Sequence, residues 1–167
     1  MSLYRVKQFI WGFISLYKKV DYDFVAKYLS DDEIKAFKKL KNNDQHHCIR
    51  VCKDSLQYNK EHSINVDENI LGKAALLHDI GKGICHLSLI EKSIIVILDK
   101  ITKGKLKKYN NIKQINIYYN HPQIGYNMIR NLGYTKDILE VVRYHHNKDN
   151  IKNNKMLQIV SYCDNKN

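Results

Sequence analysis

The sequence predicts an all-α fold, and three observations lead to that prediction. One Pro and seven Gly among 167 residues leave little material for the tight turns of an all-β protein. Apolar side chains recur at helical spacing along most of the chain. No repeat, low-complexity tract or linker interrupts the pattern, and the length is ordinary for one domain. We therefore expect a single domain over residues 1–167, with N-terminal helices over 1–42 packed on a helical core over 43–167.

The first predicted element is an amphipathic helix near the N-terminus. Its apolar stripe comprises Val6, Phe9, Ile10, Phe13, Tyr17 and Val20. The apolar stretch 9–17 is shorter than the ~20 residues that span a bilayer, and no small-residue cleavage site follows it. We expect this additional helix to dock on the core of a cytoplasmic protein rather than to lie on a membrane.

Polar caps mark the next helices. Asp21 or Asp23 caps a short segment that reaches residue 29, and Ser30 with Glu33 forms a capping box. A long helix over about 44–58 follows. Asp67 then caps a helix whose residues 70–77 are nearly all small or apolar, which is typical of a central, buried helix.

The second half of the chain continues this pattern. Residues 88–103 read as a helix, although the β-branched run 94–97 is equally typical of a strand. A basic, polar loop is expected over 103–111, and the next helix is expected to begin at His121 and Pro122, with proline in its first turn. Thr135 caps a helix that ends near residue 146, and after the polar stretch 147–154 a last helix ends at Asp164.

Charge and cysteine content exclude several classes of function. The formal charge is +11, but 24 of the 28 basic residues are Lys, whereas a phosphate-binding surface favours Arg. Without clustered Arg we expect no specific nucleic-acid partner. The four Cys lack C-x-x-C spacing, which argues against a zinc ribbon or redox dithiol and fits buried thiols in a reducing compartment.

Imidazoles and carboxylates end or interrupt the apolar faces of the predicted helices. Asp79, next to His78 at the end of the most buried helix, is unusual because an unpaired buried carboxylate costs several kcal/mol. A metal ion would offset that cost, although an exposed helix end explains the dipeptide equally well. The other candidates are His47, His121, His145, His146 and Asp164. Such donors suit one or two divalent ions, whether Fe, Mn, Zn, Co, Ni or Mg.

In chain order, these residues resemble the HD-domain superfamily of metal-dependent phosphohydrolases. The stretch 77–82, Leu-His-Asp-Ile-Gly-Lys, is very close to the family signature, and 47–51 is similar to its first-histidine helix. Residues 121–125 resemble its third element, and 159–164 resemble the segment that carries its last aspartate. The resemblance spans residues 47–164.

The resemblance implies a core of about five helices and a set of metal ligands. One ion would be held by His47, His78, Asp79 and Asp164. In two-metal members of the family, Asp79 would bridge to a second ion held by His121 and the 145–146 histidine pair. We expect two ions, with His145 the favoured ligand of the pair and His146 the alternative. A water between two ions becomes a hydroxide that attacks phosphorus.

Two basic residues are candidates for binding substrate phosphate. Lys82 follows the ligands directly and is expected to act with Asp79 in catalysis. Arg50 lies one turn beyond His47, although a surface ion pair is the common role of such a residue. The other histidines, at 46, 62 and 86, match no motif.

The function implied is hydrolysis of a phosphate ester or anhydride in a small, nucleotide-type substrate. One alternative is a non-catalytic metal- or nucleotide-binding regulatory module, and another is a cyclic-dinucleotide phosphodiesterase of the HD-GYP type. Two departures count against the latter. Residues 147–150 contain no Gly-Tyr-Pro element, and Asn43 stands where three-metal members carry a carboxylate.

Overall fold

The computed structural model describes residues 18–147, 149 and 154–167. Within those ranges the chain forms helices and no strand, which confirms the all-α prediction. The α-helices are α1 Tyr22–Val25, α2 Asp31–Phe37, α3 Asn42–Glu61, α4 Glu68–Leu77, α5 Leu89–Ile101, α6 Lys113–Ile129, α7 Lys136–Tyr144 and α8 Lys155–Asp164. Two 3-10 helices, Ile80–Ile84 and Lys105–Tyr109, flank α5. Most of the amphipathic helix predicted over 6–20 lies outside the described residues, and its predicted end was wrong, because residues 18–20 are not helical.

Local capping explains where the first helices begin. The Asp21 side chain accepts a hydrogen bond from the first turn of α1, and Ser30 forms the expected capping box with Glu33. Val25 of α1 and Phe37 of α2 are fully buried in the main hydrophobic cluster. The described part of residues 1–42 thus packs on the helices that follow it.

Helix α4 lies at the centre of the molecule, in agreement with its mostly small and apolar sequence. Asp67 caps it, and residues 74–77 are all buried. It packs against α3, α7 and α8. A side chain at Gly72 would overlap the Tyr28 ring, with a Cβ atom 2.4 Å from the nearest ring carbon. The C-terminal end of α4 is therefore fixed inside the core.

The structure around α5 decides between the helix and the strand that the sequence allowed for residues 88–103. Residues 89–101 form a helix and not a strand, because Ser88 and Glu91 make a reciprocal capping box at its start. The prediction of a polar loop over 103–111 was partly wrong, because a 3-10 helix forms within this range and Leu106 is buried. Leu106 and Ile95 of α5 belong to a second, smaller hydrophobic cluster.

Helix α6 corrects the sequence prediction at its start. It begins at Lys113, two turns before the expected residue, and Pro122 lies inside it. Proline has no N–H, so the carbonyl of Tyr118 loses its helical donor. The Nδ1 atom of His121 lies 3.2 Å from that carbonyl oxygen and 3.1 Å from that of Ile117. The imidazole thus compensates for the missing backbone bond, and the helix continues through the proline.

Two glycines let the loop after α4 lie directly on α6. A Cβ atom at Gly81 would lie 2.1 Å from the carbonyl oxygen of His121 and 2.6 Å from the nitrogen of Gly125. A Cβ atom at Gly125 would in turn lie 3.1 Å from the nitrogen of Gly81. This backbone contact brings Asp79 next to the middle of α6.

No helix in the described ranges is long and apolar enough to cross a membrane. The chain's four cysteines are free thiols, and Cys48, Cys52 and Cys163 are buried as expected.

Candidate metal centre

The structure brings all seven predicted ligand residues to one place. They come from five helices: His47 from α3, His78 and Asp79 from the end of α4, His121 from the middle of α6, His145 and His146 from the end of α7, and Asp164 from the end of α8. His47 and Asp164 are separated by 117 positions in sequence, and their side chains are 2.9 Å apart. Helix ends that are distant in sequence therefore converge on one cluster.

Four of these side chains form a first group. Asp79 Oδ2 lies 3.7 Å from His47 Nε2 and 3.4 Å from His78 Nε2. Asp164 Oδ1 lies 2.9 Å from His47 Nε2 and 3.7 Å from His78 Nε2. Two imidazole nitrogens and two carboxylate oxygens thus face one another at the spacing of ligands around a single ion.

A second group lies on the other side of Asp79. Asp79 Oδ1 lies 3.2 Å from His121 Nε2 and 3.7 Å from His145 Nε2. His146 is half-exposed, and its Nδ1 atom lies 3.5 Å from Asp164 Oδ2. One nitrogen from each of the three histidines of this group lies within 4.8 Å of the others. The two oxygens of Asp79 therefore point to different groups.

Backbone carbonyls orient the three buried histidines. His78 Nδ1 lies 2.8 Å from the carbonyl oxygen of Ala75, and His145 Nδ1 lies 3.1 Å from that of Val142. His121 is held in the same way by the turn before Pro122. In each case Nδ1–H donates to a carbonyl three or four residues earlier, so that Nε2 is directed toward the cluster.

Those Nε2 atoms are orphaned. The Nε2 atoms of His78, His121 and His145, together with Oδ1 of Asp79, are buried and have no hydrogen-bond partner among the described residues. One such atom costs about 1–3 kcal/mol, and four converging on one point are unusual. Nitrogen and oxygen lone pairs directed at a shared point are what a divalent cation requires. The residues present therefore fit a metal ion.

Electrostatics keep both carboxylates ionised. Burial alone would raise the pKa of Asp79, but the Lys82 ammonium and His78 lower it well below its usual range. Burial alone would also raise the pKa of Asp164, but the hydrogen bond with His47 and the nearby imidazole of His78 lower it well below its usual range. Both carboxylates are thus ionised at neutral pH, and positive charge on Lys82 and His78 balances them.

The histidines differ in their protonation. Burial, with the nearby Lys82, lowers the pKa of His121, and burial lowers that of His145 well below its usual range. Burial also lowers the pKa of His146 to about 4. His78 is the exception, because Asp79 and its other neighbours outweigh burial and raise its pKa well above the usual range. A bound cation competes with the proton on His78, so metal binding would release it.

The predicted substrate-binding residues occupy different positions. Lys82 donates a hydrogen bond to Asp79 Oδ2 and is about one-fifth exposed. Its pKa is raised because Asp79 and Asp44 outweigh burial. Arg50 is half-buried one turn after His47 on α3. The structure thus places Lys82 at the cluster and leaves the role of Arg50 as a prediction.

Sequence reasoning missed Asp44 and Lys92. Asp44 is buried one turn before His47, and its Oδ1 atom lies 2.5 Å from Lys92 Nζ of α5. Its charge also acts on Lys82. The position of Asp44, three residues before His47, could have marked it as a candidate from the sequence. No sequence feature marks Lys92, which lies 48 residues from Asp44. This ion pair connects α5 to the edge of the site.

The remaining histidines bind backbone carbonyls away from the cluster. The rings of His46 and His86 lie 3.2 Å and 2.6 Å from the carbonyl oxygens of Lys18 and Lys39. His62 bonds the carbonyl of Tyr58, four residues earlier. Each therefore contacts a backbone carbonyl outside the cluster, and only the contact of His62 is local in sequence.

Comparisons with known proteins agree with this geometry at the level of the family. No curated protein and no solved structure matched the chain. The family model described as the HD domain matches residues 45–166, a range that begins two residues before His47 and ends two residues after Asp164. This match covers well over half of the sequence and includes every residue of the cluster. The chain therefore belongs to the HD domain family, whose members are generally metal-dependent hydrolases.

Proposed function

We propose that the chain is a divalent-metal-dependent phosphohydrolase that acts on a small, nucleotide-type phosphate ester or anhydride. One observation carries the proposal: four buried atoms of metal-ligand type, three imidazole Nε2 and one carboxylate oxygen, lie together without hydrogen-bond partners among the described residues. Such an arrangement is costly unless a cation satisfies it. Membership of the HD domain family supports the same reading.

Two ions fit the donor set better than one. His47, His78, Asp79 and Asp164 would hold the first ion, and His121 with His145 would hold the second. Asp79 is the common ligand, because Oδ2 faces the first group and Oδ1 faces the second. A carboxylate in that position can bridge two ions about 3.5–4 Å apart.

When bound, such ions lower the pKa of a coordinated water toward neutrality and stabilise negative charge on phosphoryl oxygens. The residues of the chain supply the surroundings for that chemistry. Asp79 is 1% exposed, so charges near it interact in a site from which bulk water is largely excluded. The more exposed edge of the cluster is formed by His47 and His146, whose side chains are 16% and 49% exposed. Substrate would approach from that edge.

Lys82 is suited to hold a phosphate oxygen. Its ammonium carries three N–H donors, and Asp79 uses one of them. The remaining donors are free to bind a substrate anion next to the metal ligands. Its raised pKa keeps the group charged at neutral pH.

The proposal is tested by metal analysis followed by a phosphate-release screen. Protein purified without a His tag and loaded with Mn, Fe(II) or Co should release phosphate from at least one nucleotide. Asp79→Ala should lose both this activity and part of the metal, because it removes the ligand common to both groups. Phosphate release by metal-replete Asp79→Ala would contradict the assigned role.

The same screen separates the alternatives. Metal binding without turnover of any phosphorylated compound would favour a regulatory module. Cleavage of a cyclic dinucleotide in preference to linear nucleotides would favour the phosphodiesterase, for which the chain lacks the Gly-Tyr-Pro element.

A further inference from the structure

A cavity of about 430 Å³ lies where the start of α4 meets the connection between α6 and α7 and the residues that follow α1. Its volume falls in the range of pockets that bind small organic ligands. None of its described lining residues belongs to the metal cluster. The cavity is therefore separate from the candidate metal centre.

Two ammonium groups line the cavity. Lys27 is exposed and makes no ion pair with another described residue. Lys73 donates to both oxygens of Glu33, at 2.8 Å and 2.9 Å, and keeps one N–H donor. The acids Glu33 and Glu68 do not belong to the described lining. One positive charge is thus unpaired and a second can still donate, an arrangement that suits an anion.

Flat and apolar side chains form other parts of the wall. Tyr28 and Tyr134 line the cavity together with Ile70. Both tyrosines are held by their surroundings, because the Tyr28 ring lies directly against Gly72 and the Tyr134 hydroxyl donates to Glu33. Aromatic side chains fixed beside a cation suit a ligand that carries both a flat ring and an anionic group.

Two neutral polar side chains complete the set. Asn69 lies in the first turn of α4 and has no hydrogen-bond partner among the described residues. Thr135 precedes α7, and its side chain does not cap that helix. Both side chains can therefore exchange hydrogen bonds with uncharged polar groups of a ligand.

Helices α4 and α7 both lead from the cavity to the metal centre. Ile70 lines the cavity and His78 follows the end of α4, about 12 Å along the helix axis. Thr135 and His145 flank α7 in the same way, about 15 Å apart. A ligand in the cavity thus contacts the two helices that carry four of the seven candidate metal ligands.

We infer that the cavity binds a nucleoside monophosphate at a site distinct from the metal centre. A phosphate monoester carries about 1.5–2 negative charges at neutral pH, which Lys27 and Lys73 match. The two tyrosines suit the base, and Asn69 with Thr135 suits the sugar hydroxyls. The inference does not depend on hydrolysis, because it uses no residue of the metal cluster.

Amide NMR of the full chain with Mg²⁺ present tests where the ligand binds. The probe is adenosine 5′-phosphorothioate, a hydrolysis-resistant analogue of a nucleoside monophosphate, and adenosine is the uncharged comparison. The probe should shift the amide signals of residues 69–73 and 133–138 together and saturably. Adenosine should bind there at least about tenfold more weakly, because it lacks the charged group. Shifts confined to the metal centre, or equal binding of adenosine, would overturn the inference.

A charge substitution tests the role of Lys27. Lys27→Gln should weaken binding of the probe at the cavity by about tenfold, because it removes the unpaired ammonium. Lys107→Gln is the matched control, since it removes an exposed lysine from the second 3-10 helix, and it should leave the affinity unchanged. Equal affinities of the two variants would contradict the inference.

A second substitution fills the cavity from its rim. Asn69 is exposed, so Asn69→Trp should keep the fold, which thermal unfolding checks. It should abolish the probe-induced shifts of residues 133–138, whereas retained shifts would place the probe elsewhere and refute the site. Phosphate release measured on the same proteins tests the proposed hydrolase separately.

Discussion

At the scale of single residues, the site depends on which nitrogen of each histidine is free. His78, His121 and His145 all donate through Nδ1 to a carbonyl of their own helical turn. A helix places an imidazole near carbonyls three and four residues earlier, so the tautomer is set by local geometry. No carboxylate from another element is needed to orient these rings.

The second metal position gives a prediction for His121. His121→Ala should lower the metal content of the protein from two equivalents to about one, because it removes one of two imidazoles facing Asp79 Oδ1. The measurement is metal titration under strict exclusion of air, which preserves Fe(II). The control is His62→Ala, whose ring bonds only a local carbonyl. One equivalent in both wild type and His121→Ala would refute the two-ion proposal and leave the one-ion hydrolase standing.

Lys82 gives a prediction about substrate rather than metal. Lys82→Ala should keep its metal but lower kcat/KM for a phosphorylated substrate by roughly tenfold or more, since hydrogen bonds to charged groups contribute about 1.5–3 kcal/mol. The control is Lys92→Ala, a lysine of similar exposure that pairs with Asp44. Equal kinetic effects of the two substitutions would argue against a phosphate contact by Lys82.

At the scale of secondary-structure elements, close backbone contact between the 3-10 helix Ile80–Ile84 and α6 sets the position of Asp79. Gly81→Ala should destabilise the protein by about 1–3 kcal/mol, because its Cβ would meet two backbone positions that have no room to move. It should also lower binding of the second ion more than the first, since His121 would be displaced. Urea denaturation and metal titration measure the two effects. Gly83→Ala is the control, because its nearest contact is a lysine Cβ at 3.3 Å.

Glu33 links α2 to α4, and its ionisation predicts a pH dependence of stability. It bonds the Ser30 backbone and Lys73 of α4, at 2.7 Å and 2.8 Å. Burial alone would raise the pKa of Glu33, but the Lys73 and Ser30 bonds outweigh burial and lower it. A lowered pKa in the folded state means that the stabilisation is present above the unfolded pKa of about 4.3 and is lost as pH falls through the folded value.

Glu33→Gln should therefore reduce the free energy of unfolding by about 1–2 kcal/mol at pH 7. The difference from wild type should shrink as the pH falls below about 4. Chemical denaturation across pH 3–7 measures it. Asp32→Asn is the control, since Asp32 is highly exposed and should show little effect. A difference that is constant with pH would contradict the ionic role.

The sequence predicted the type of most secondary-structure elements. The predictions failed where contacts between distant parts of the chain determine the structure. Helix caps such as Ser30 and Asp67 are local signals, and both were found where they were predicted. The start of α6 was misplaced because proline usually occupies the first turn, whereas here an imidazole replaces the missing donor. The pairing of Asp44 with Lys92 joins residues 48 positions apart and leaves no local pattern. The candidate ligands were recognised because their order and spacing along the chain match a known pattern. Only the folded structure shows that their side chains lie together.

At the scale of the whole molecule, the described residues contain two hydrophobic clusters. The larger one includes α3, α4, α7 and α8, and the smaller one lies between α5, the second 3-10 helix and the first half of α6. His121 follows Ile117 of the smaller cluster by one turn and faces the ligands attached to the larger one. That the chain is a single domain over 1–167 stays a prediction.

Metal removal is expected to destabilise the entire fold. The candidate ligands come from α3, α4, α6, α7 and α8, so a bound ion would crosslink parts of the chain that are up to 117 positions apart. At a free ion concentration of ~100 Kd, binding adds about 2.7 kcal/mol to the free energy of unfolding. For a chain of this size, that change corresponds to an increase of about 5–10 °C in Tm. Thermal unfolding with and without chelator should show this loss, and added metal should reverse it. Asp79→Ala should respond much less to the chelator.

The one proline of the chain has a consequence for how stability and chemistry are balanced. A proline within a helix ordinarily costs about 3 kcal/mol. In α6 it also removes the competitor for the Tyr118 carbonyl, so that this acceptor is available to His121 Nδ1. An alanine at this position would give a better helix and a backbone N–H that competes with the imidazole. The helix would gain stability at that turn, and the contact of His121 Nδ1 with the Tyr118 carbonyl would weaken, so the weakest turn of α6 is also the one that holds a ligand in place.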